Sequence, residues 1–154
     1  MSEKIETMKA FAKVGFSRLD QVTKNLTEEQ LDWKSCPEAN TVRWNLTHLV
    51  SEMFVFVPKI IKGDKEYKPE GWPDNYVGNE SYSLEKIMGD IEKGKAEFME
   101  KLDNLTEEVL AEEMDWFYGK RPKQTYLMLA ISESLHHEGH IAAILGVEKR
   151  MQGT

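Results

Sequence analysis

Apolar residues recur at steps of three and four along four long stretches of the chain, the spacing of helices with one buried face. The first stretch runs from about Glu3 to Lys24, with Ile5, Met8, Ala12, Gly15, Leu19, Val22 and Leu26 on its stripe. Ala12 and Gly15 are small enough to let a neighbouring helix approach closely. The second runs from about Val42 to Lys62, with Thr41 as its N-cap and Val42, Leu49, Met53, Phe56 and Ile60 on its stripe. Pro58 lies inside it and predicts a kink or an early stop. The third runs from about Leu84 to Asp103 behind a Ser83 cap, striped by Leu84, Ile87, Ile91, Gly94, Phe98 and Leu102. The fourth runs from about Gln124 to Leu145, and Gly146 reads as a left-handed stop.

Between the second and third helices lies a long crossover, Gly63 to Tyr82, carrying Pro69, Gly71, Pro73 and Gly78 among Tyr67, Trp72, Tyr76 and Tyr82. Loops of this length inside a compact domain are often functional, so these rings are expected to wall a pocket. Strand signals are almost absent. The expectation is an all-α fold, a four-helix bundle with a long crossover between helices two and three.

Two phrases echo each other. Asn25-Leu26-Thr27-Glu28-Glu29-Gln30-Leu31 follows the first helix, and Asn104-Leu105-Thr106-Glu107-Glu108-Val109-Leu110 follows the third. Each stops a helix and caps a short following turn, and Thr27 with Gln30 makes a capping box. Either the chain is built from two helix–link–helix units, or Leu-Thr-Glu-Glu is simply a common helix start.

At 154 residues the chain suits one domain, residues 1–154, large enough to bury a core without staples. Apolar residues at 40% and charged residues at 31% fit a globular protein. The net charge of −7 argues against nucleic acid and against an anionic membrane as partners. The single cysteine, Cys36, rules out an internal disulfide and reads as a small residue near a turn. With no apolar leader segment and no apolar run longer than that around Met53 to Val57, a cytoplasmic protein is expected. The tryptophans at 33, 44, 72 and 116 read as core or pocket walls. No glycine-rich phosphate loop or serine-nucleophile motif is present.

Three of the four histidines crowd into the fourth helix, in Glu133-Ser-Leu-His136-His137-Glu138-Gly-His140. At about 100° per residue, His137 sits in the middle of an apolar arc. Glu133 and His140 fall about 40° and about 60° to one side, still on that arc, and His136 falls about 100° away, at its rim. An imidazole and a carboxylate on a buried arc need compensation. They can pair with each other, or share a metal as i and i+4 ligands completed by a group from another helix. His48 is the remaining histidine. It flanks the second helix's stripe, with Trp44 one turn back and Glu52 one turn on.

Trp44-Asn-Leu-Thr-His48-Leu49 resembles the second-helix motif of the DinB/YfiT-like superfamily, and Glu133-x-x-x-His137-x-Gly139-His140-Ile141 resembles its fourth-helix motif. The resemblance covers nearly the whole chain. It implies a four-helix bundle with a divalent metal held by three side chains. Many members use three histidines, while a branch similar to mycothiol-dependent maleylpyruvate isomerase and related thiol transferases uses His, Glu, His. Matched motif to motif, the implied ligands are His48, Glu133 and His137, with His140 beside them. A rival register uses His136 and His140 with His48. The arc and the Gly139 anchor favour the first. After His140 the chain continues Ala142-Ala143-Ile144-Leu145, where relatives with this pattern often carry an acidic residue and a Leu-Arg pair.

Three ligands leave a coordination position open, the arrangement of catalytic rather than structural sites. The resemblance therefore implies a metal-dependent transferase of a low-molecular-weight thiol, or a hydrolase, acting on a small-molecule substrate. The metal would be zinc or nickel, or else iron or manganese. Glu52 or His140 would carry protons. The alternatives are a non-catalytic metal-binding stress-response protein, or a plain scaffold in which Glu133 and His137 pair. Met128, Ile131, Leu135 and Ala142 make the far side of the fourth helix apolar as well, which predicts a homodimer unless the first helix or the crossover covers that side.

Overall fold

A computed structural model describes residues 2–153. Helix α1 spans Glu3–Thr23, and a single 3-10 turn follows at Glu28–Leu31. Helix α2, Val42–Ser51, runs through a π turn at Glu52–Phe56 into α3, Val57–Lys62, as one uninterrupted rod. Helix α4 spans Leu84–Asp103, α5 is the short Glu107–Ala111, and α6 runs Lys123–Met151. The long segments α1, α2–α3, α4 and α6 form the expected all-α four-helix bundle, with α6 packed along α1 and the α2–α3 rod. Among the described residues, no helix is long and apolar enough to cross a membrane.

The predicted caps are in place. Thr41 Oγ1 accepts from the Trp44 N–H at 2.9 Å, and Ser83 Oγ accepts from the Lys86 N–H at 3.1 Å. The Gln30 side chain accepts from the Thr27 N–H at 3.0 Å. The two echoed phrases do the same local job, each opening a short turn that plants a buried leucine, Leu31 or Leu110, against the core. Gly15 is the close-approach point between α1 and α6: a Cβ built there would lie 2.0 Å from Ser134 Oγ. With Ile131 buried as well, α1 takes up part of α6's far side, the covering weighed above against a second subunit.

Three details differ from expectation. Pro58 neither stops nor ends the second helix. It enters at the start of α3 just after the π turn, where the Val57 N–H reaches back five residues to the Glu52 carbonyl. That wider turn absorbs the missing proline N–H. Gly146 does not stop the last helix. Its φ is not positive, and the helix continues to Met151, held by buried Glu148, which accepts from Gln30 Nε2 at 3.2 Å. The left-handed residue is Gly153, φ 71°. Finally, a small antiparallel hairpin precedes α6: β1, Glu113–Trp116, pairs with β2, Gly119–Pro122, across the two-residue tip Phe117-Tyr118. Gly119 takes the left-handed conformation (φ 76°) that this turn needs.

The crossover is anchored by one buried cation. Arg43 is 4% exposed. It grips both oxygens of Asp32, Nε to Oδ1 at 2.7 Å and Nη2 to Oδ2 at 2.8 Å. It also donates to the Asn79 carbonyl at 3.2 Å and to the Tyr82 carbonyl. Hydrogen bonding from Arg43 holds the Asp32 carboxyl below its ordinary pKa. A depressed carboxyl stabilises the fold above its unfolded value, and this contribution disappears as pH falls through the folded value. Stability should therefore drop below about pH 4. Asp32→Ala should cost about 1–3 kcal/mol in urea unfolding at pH 7, less than a fully buried pair because Asp32 is half exposed. The variant should also show a weaker acid dependence than the wild type in that window.

Candidate metal centre

The α2 and α6 helices bring three donor side chains together. His48, Glu133 and His137 present ligand atoms that all lie within 4.8 Å of one another. His137 Nε2 is the hub, 3.0 Å from His48 Nδ1 and 3.2 Å from Glu133 Oε2. Helical rotation explains the α6 half. His137, mid-arc, is 2% exposed, Glu133 one turn back is half-buried, and His136 at the rim is exposed. The His136 and His140 rings instead meet edge-on, with centroids 4.2 Å apart, and among the described residues form no such group with His48.

Asn45 decides the chemistry of the hub. It is fully buried, and its Nδ2 donates to the Thr41 carbonyl at 2.8 Å, which fixes the amide's orientation. Its Oδ1 therefore accepts from His137 Nδ1 at 2.8 Å. A proton on Nδ1 frees the lone pair on Nε2, the atom aimed at His48 and Glu133. With that lone pair and a carboxylate oxygen only 3.2 Å apart, a shared cation, a proton or a metal, would relieve their repulsion. Tetrahedral bonds of about 2.0–2.2 Å would separate donors by roughly 3.3 Å, close to the spacing seen. Two imidazoles and a carboxylate, one imidazole oriented by an amide carbonyl, are a fitting donor set for a borderline divalent ion.

Around this hub, Trp44 stacks on the His48 ring, centroids 4.8 Å apart and planes at 15°, and fixes its plane. Glu52 Oε1 lies 3.9 Å from His48 Nε2. Glu52 is buried, and in the metal-free chain that burial, with Glu133 nearby, pushes its carboxyl up to about 8. Glu133 moves the other way, held low by its hydrogen bond with His137. Burial, then the neighbouring His137, lowers the His48 pKa, so the ring stays neutral and able to ligate. His140 Nδ1 shares the Asn45 oxygen at 3.3 Å, but its ring is exposed.

A cavity of about 240 Å³ opens on His48, Glu52 and Glu133. His140 does not line it. Its far wall is the hairpin, Trp116, Phe117 and Tyr118, with Phe56 and Tyr126. The crossover rings expected to wall the pocket sit elsewhere: Trp72, Tyr76 and Tyr82 pack with Phe54 around a separate cleft against α4. They miss the site because the π turn faces Phe54 to the crossover and Glu52 and Phe56 to the cavity. Trp116 is a pocket wall as the sequence reading allowed, while Asn45 and the hairpin that carries Trp116, with its tip Phe117-Tyr118, are the contributors it did not name. Asn45 was signalled only by its place in the Trp44–His48 phrase, and the hairpin by Trp-Phe-Tyr-Gly ahead of α6.

Asn45→Ala should leave His137 free to rotate and change tautomer. The expected loss in metal affinity is about 10- to 100-fold, the usual effect of removing a partner that orients a metal-bound histidine. Competition titration against a chromogenic chelator measures it. An unchanged affinity would show that Asn45 does not orient the site.

Comparison with known proteins agrees with the fold. The chain is similar in fold to a DinB-like protein from Bacillus subtilis, with a TM-score of 0.69 at 16% identity over 96% of this chain and 93% of that one. It is equally similar to a conserved protein from Enterococcus faecalis, with a TM-score of 0.68 at 15% identity over 94% of this chain and 95% of that one. No curated protein matches. The family model of the DinB superfamily matches residues 13–141, which include both histidine-bearing motifs, and the chain therefore belongs to the DinB superfamily.

Proposed function

We propose that this chain is a metal-dependent enzyme, a low-molecular-weight-thiol S-transferase or a hydrolase, in which His48, Glu133 and His137 hold one divalent ion. The supporting observation is that three donors converge and two of them, His48 and Glu133, line a cavity, with His137 buried behind them. Three protein ligands with a vacant side facing a pocket suit catalysis, whereas structural sites are closed by four. When bound, the ion supplies the Lewis acidity that makes a thiol or water nucleophilic near neutral pH.

The chain's own residues supply the rest. Asn45 keeps the His137 lone pair aimed at the site, and Trp44 fixes the His48 ring. The two carboxyls are pushed apart, which assigns them different roles. Glu133 stays ionised and ligates. Glu52 lines the same cavity 3.9 Å from His48, and its burial favours the protonated carboxyl, so it is placed to pass a proton to a leaving group. His140 lies outside the cavity lining and meets the site only through the Asn45 oxygen, so it has no proton-transfer role there.

Elemental analysis of untagged protein, purified without chelators, should find about one zinc, nickel, iron or manganese per chain. Incubating that protein with a panel of thiols and electrophilic substrates should then show turnover that Glu52→Gln slows. No retained metal would overturn the metal reading. Stoichiometric metal without turnover against thiol or water acceptors would favour a metal-binding protein with no catalysis.

A further inference from the structure

We infer that the substrate presents its reacting group on an uncharged, aromatic body, selected by the tip of the β1–β2 hairpin, and that a carboxylate-bearing thiol is excluded. This rests on the reading of the site as a metal-dependent enzyme and names the substrate class for it.

The cavity's composition carries the argument. Apart from His48, Glu52 and Glu133, its lining is apolar or aromatic, with the rings of Phe56, Trp116, Phe117, Tyr118 and Tyr126 making most of its wall. The chain has 20 Lys and Arg residues, and none lines this cavity. An anionic group on the body of the substrate would lose its hydration beside two glutamates, with no guanidinium or ammonium to pair with, and a buried unpaired charge is strongly unfavourable. The donor cluster, the only place a cation can sit, lies at one end, where the reacting group itself must go.

Shape and exposure add to this. Phe56 and Trp116 stack at 5.4 Å and 24°, and Phe117 meets Tyr126 edge-on at 5.3 Å and 71°, so flat faces and ring edges bound the space. At about 240 Å³ the cavity exceeds the roughly 150 Å³ that suffices for benzene, which allows one ring with short substituents. Phe117 and Tyr118 are 59% and 60% exposed. Met114, Trp116 and Tyr126 supply the buried seat of the hairpin; Phe117 adds an edge contact to Tyr126, yet it and Tyr118 keep most of their rings open at the mouth of the pocket. They are the surface an apolar ligand would cover.

The test uses a matched pair of probes, benzyl mercaptan and 4-(mercaptomethyl)benzoate, titrated into metal-loaded and metal-free protein and followed by amide NMR shifts. The neutral thiol should bind at least about ten times tighter than the carboxylate, with shifts centred on residues 116–118 and 126. Phe117→Ser combined with Tyr118→Ser changes only exposed rings. It should weaken the neutral thiol by about ten-fold or more while metal content stays unchanged, and Tyr118→Ser alone, which leaves the Phe117–Tyr126 contact in place, should weaken it in the same direction. Equal or tighter binding of the carboxylate, or an unaltered neutral affinity in the double variant, overturns the inference. If no metal binds but the metal-free chain still discriminates between the probes, the enzymatic reading fails and the cavity's selectivity stands. If metal binds and discrimination is absent, this inference alone fails.

Discussion

Glu133→Ala should strip the metal from the protein while leaving the bundle folded. Its side chain is one-third exposed and lines the cavity, so its removal enlarges an open space rather than leaving a sealed void. Its loss leaves two imidazoles, too few for a tight site, and the affinity should fall by more than the roughly 100-fold expected for losing an orienting partner. Thermal melting reads this independently. A ligand present at about 100 times its Kd adds about 2.7 kcal/mol, which for a domain of this size raises the wild-type Tm by roughly 5–10 °C. The variant should show no such rise. Glu133→His restores a third donor, of the kind three-histidine relatives use, and should recover both metal content and the shift. If Glu133→Ala retains one equivalent of metal and His136→Ala loses it, the ligand register is His48, His136 and His140 instead.

That rival register shows what the sequence could decide. Within one helix, rotation per residue is fixed, so the buried position of His137 and the rim position of His136 follow from the apolar arc alone. Caps such as Thr41 and Ser83 are equally local, one side chain reaching a backbone N–H three residues on. The convergence of His48 with the α6 pair is not local. Nothing in the second helix's periodicity turns His48 toward a residue 89 positions away, and motif resemblance supplied that link.

The misreadings are physical as well. A strict helical period places Phe56 on the core stripe, but the π turn adds a residue and shifts the phase. Val57 becomes buried, and Phe56 swings to the cavity with Glu52. Gly146 carries every mark of a stop except the one that matters, a demand for positive φ, and the tertiary hold on Glu148 carries the helix past it. The hairpin strands are four residues each, too short for alternation to register, and their pairing is stabilised by what they cover. The cavity wall was therefore hidden because it depends on a short hairpin packed against Tyr126 by tertiary contacts.

Tyr126 is accordingly where the fold and the site meet, and Tyr126→Ala should have the largest effect on stability. Its ring is 1% exposed, touches Trp116 at 5.8 Å and Phe117 at 5.3 Å between centroids, and its hydroxyl donates to the Gly119 carbonyl at the base of the hairpin turn. Truncation leaves a ring-sized void and should cost about 3–5 kcal/mol, read as a lower urea midpoint. Tyr126→Phe keeps the ring and loses only the hydrogen bond, for about 1 kcal/mol. The two substitutions separate packing from anchoring. In both, the donors on α2 and α6 are untouched, so one metal per chain should remain under native conditions. Hydrogen exchange at residues 113–122 should speed up, more for Ala than for Phe, because the hairpin has lost the side chain that holds it over the cavity. Equal protection of these amides in wild type and Tyr126→Ala would mean that the hairpin is held by its own ladder and by Trp116 on Phe56, with Tyr126 serving only as core.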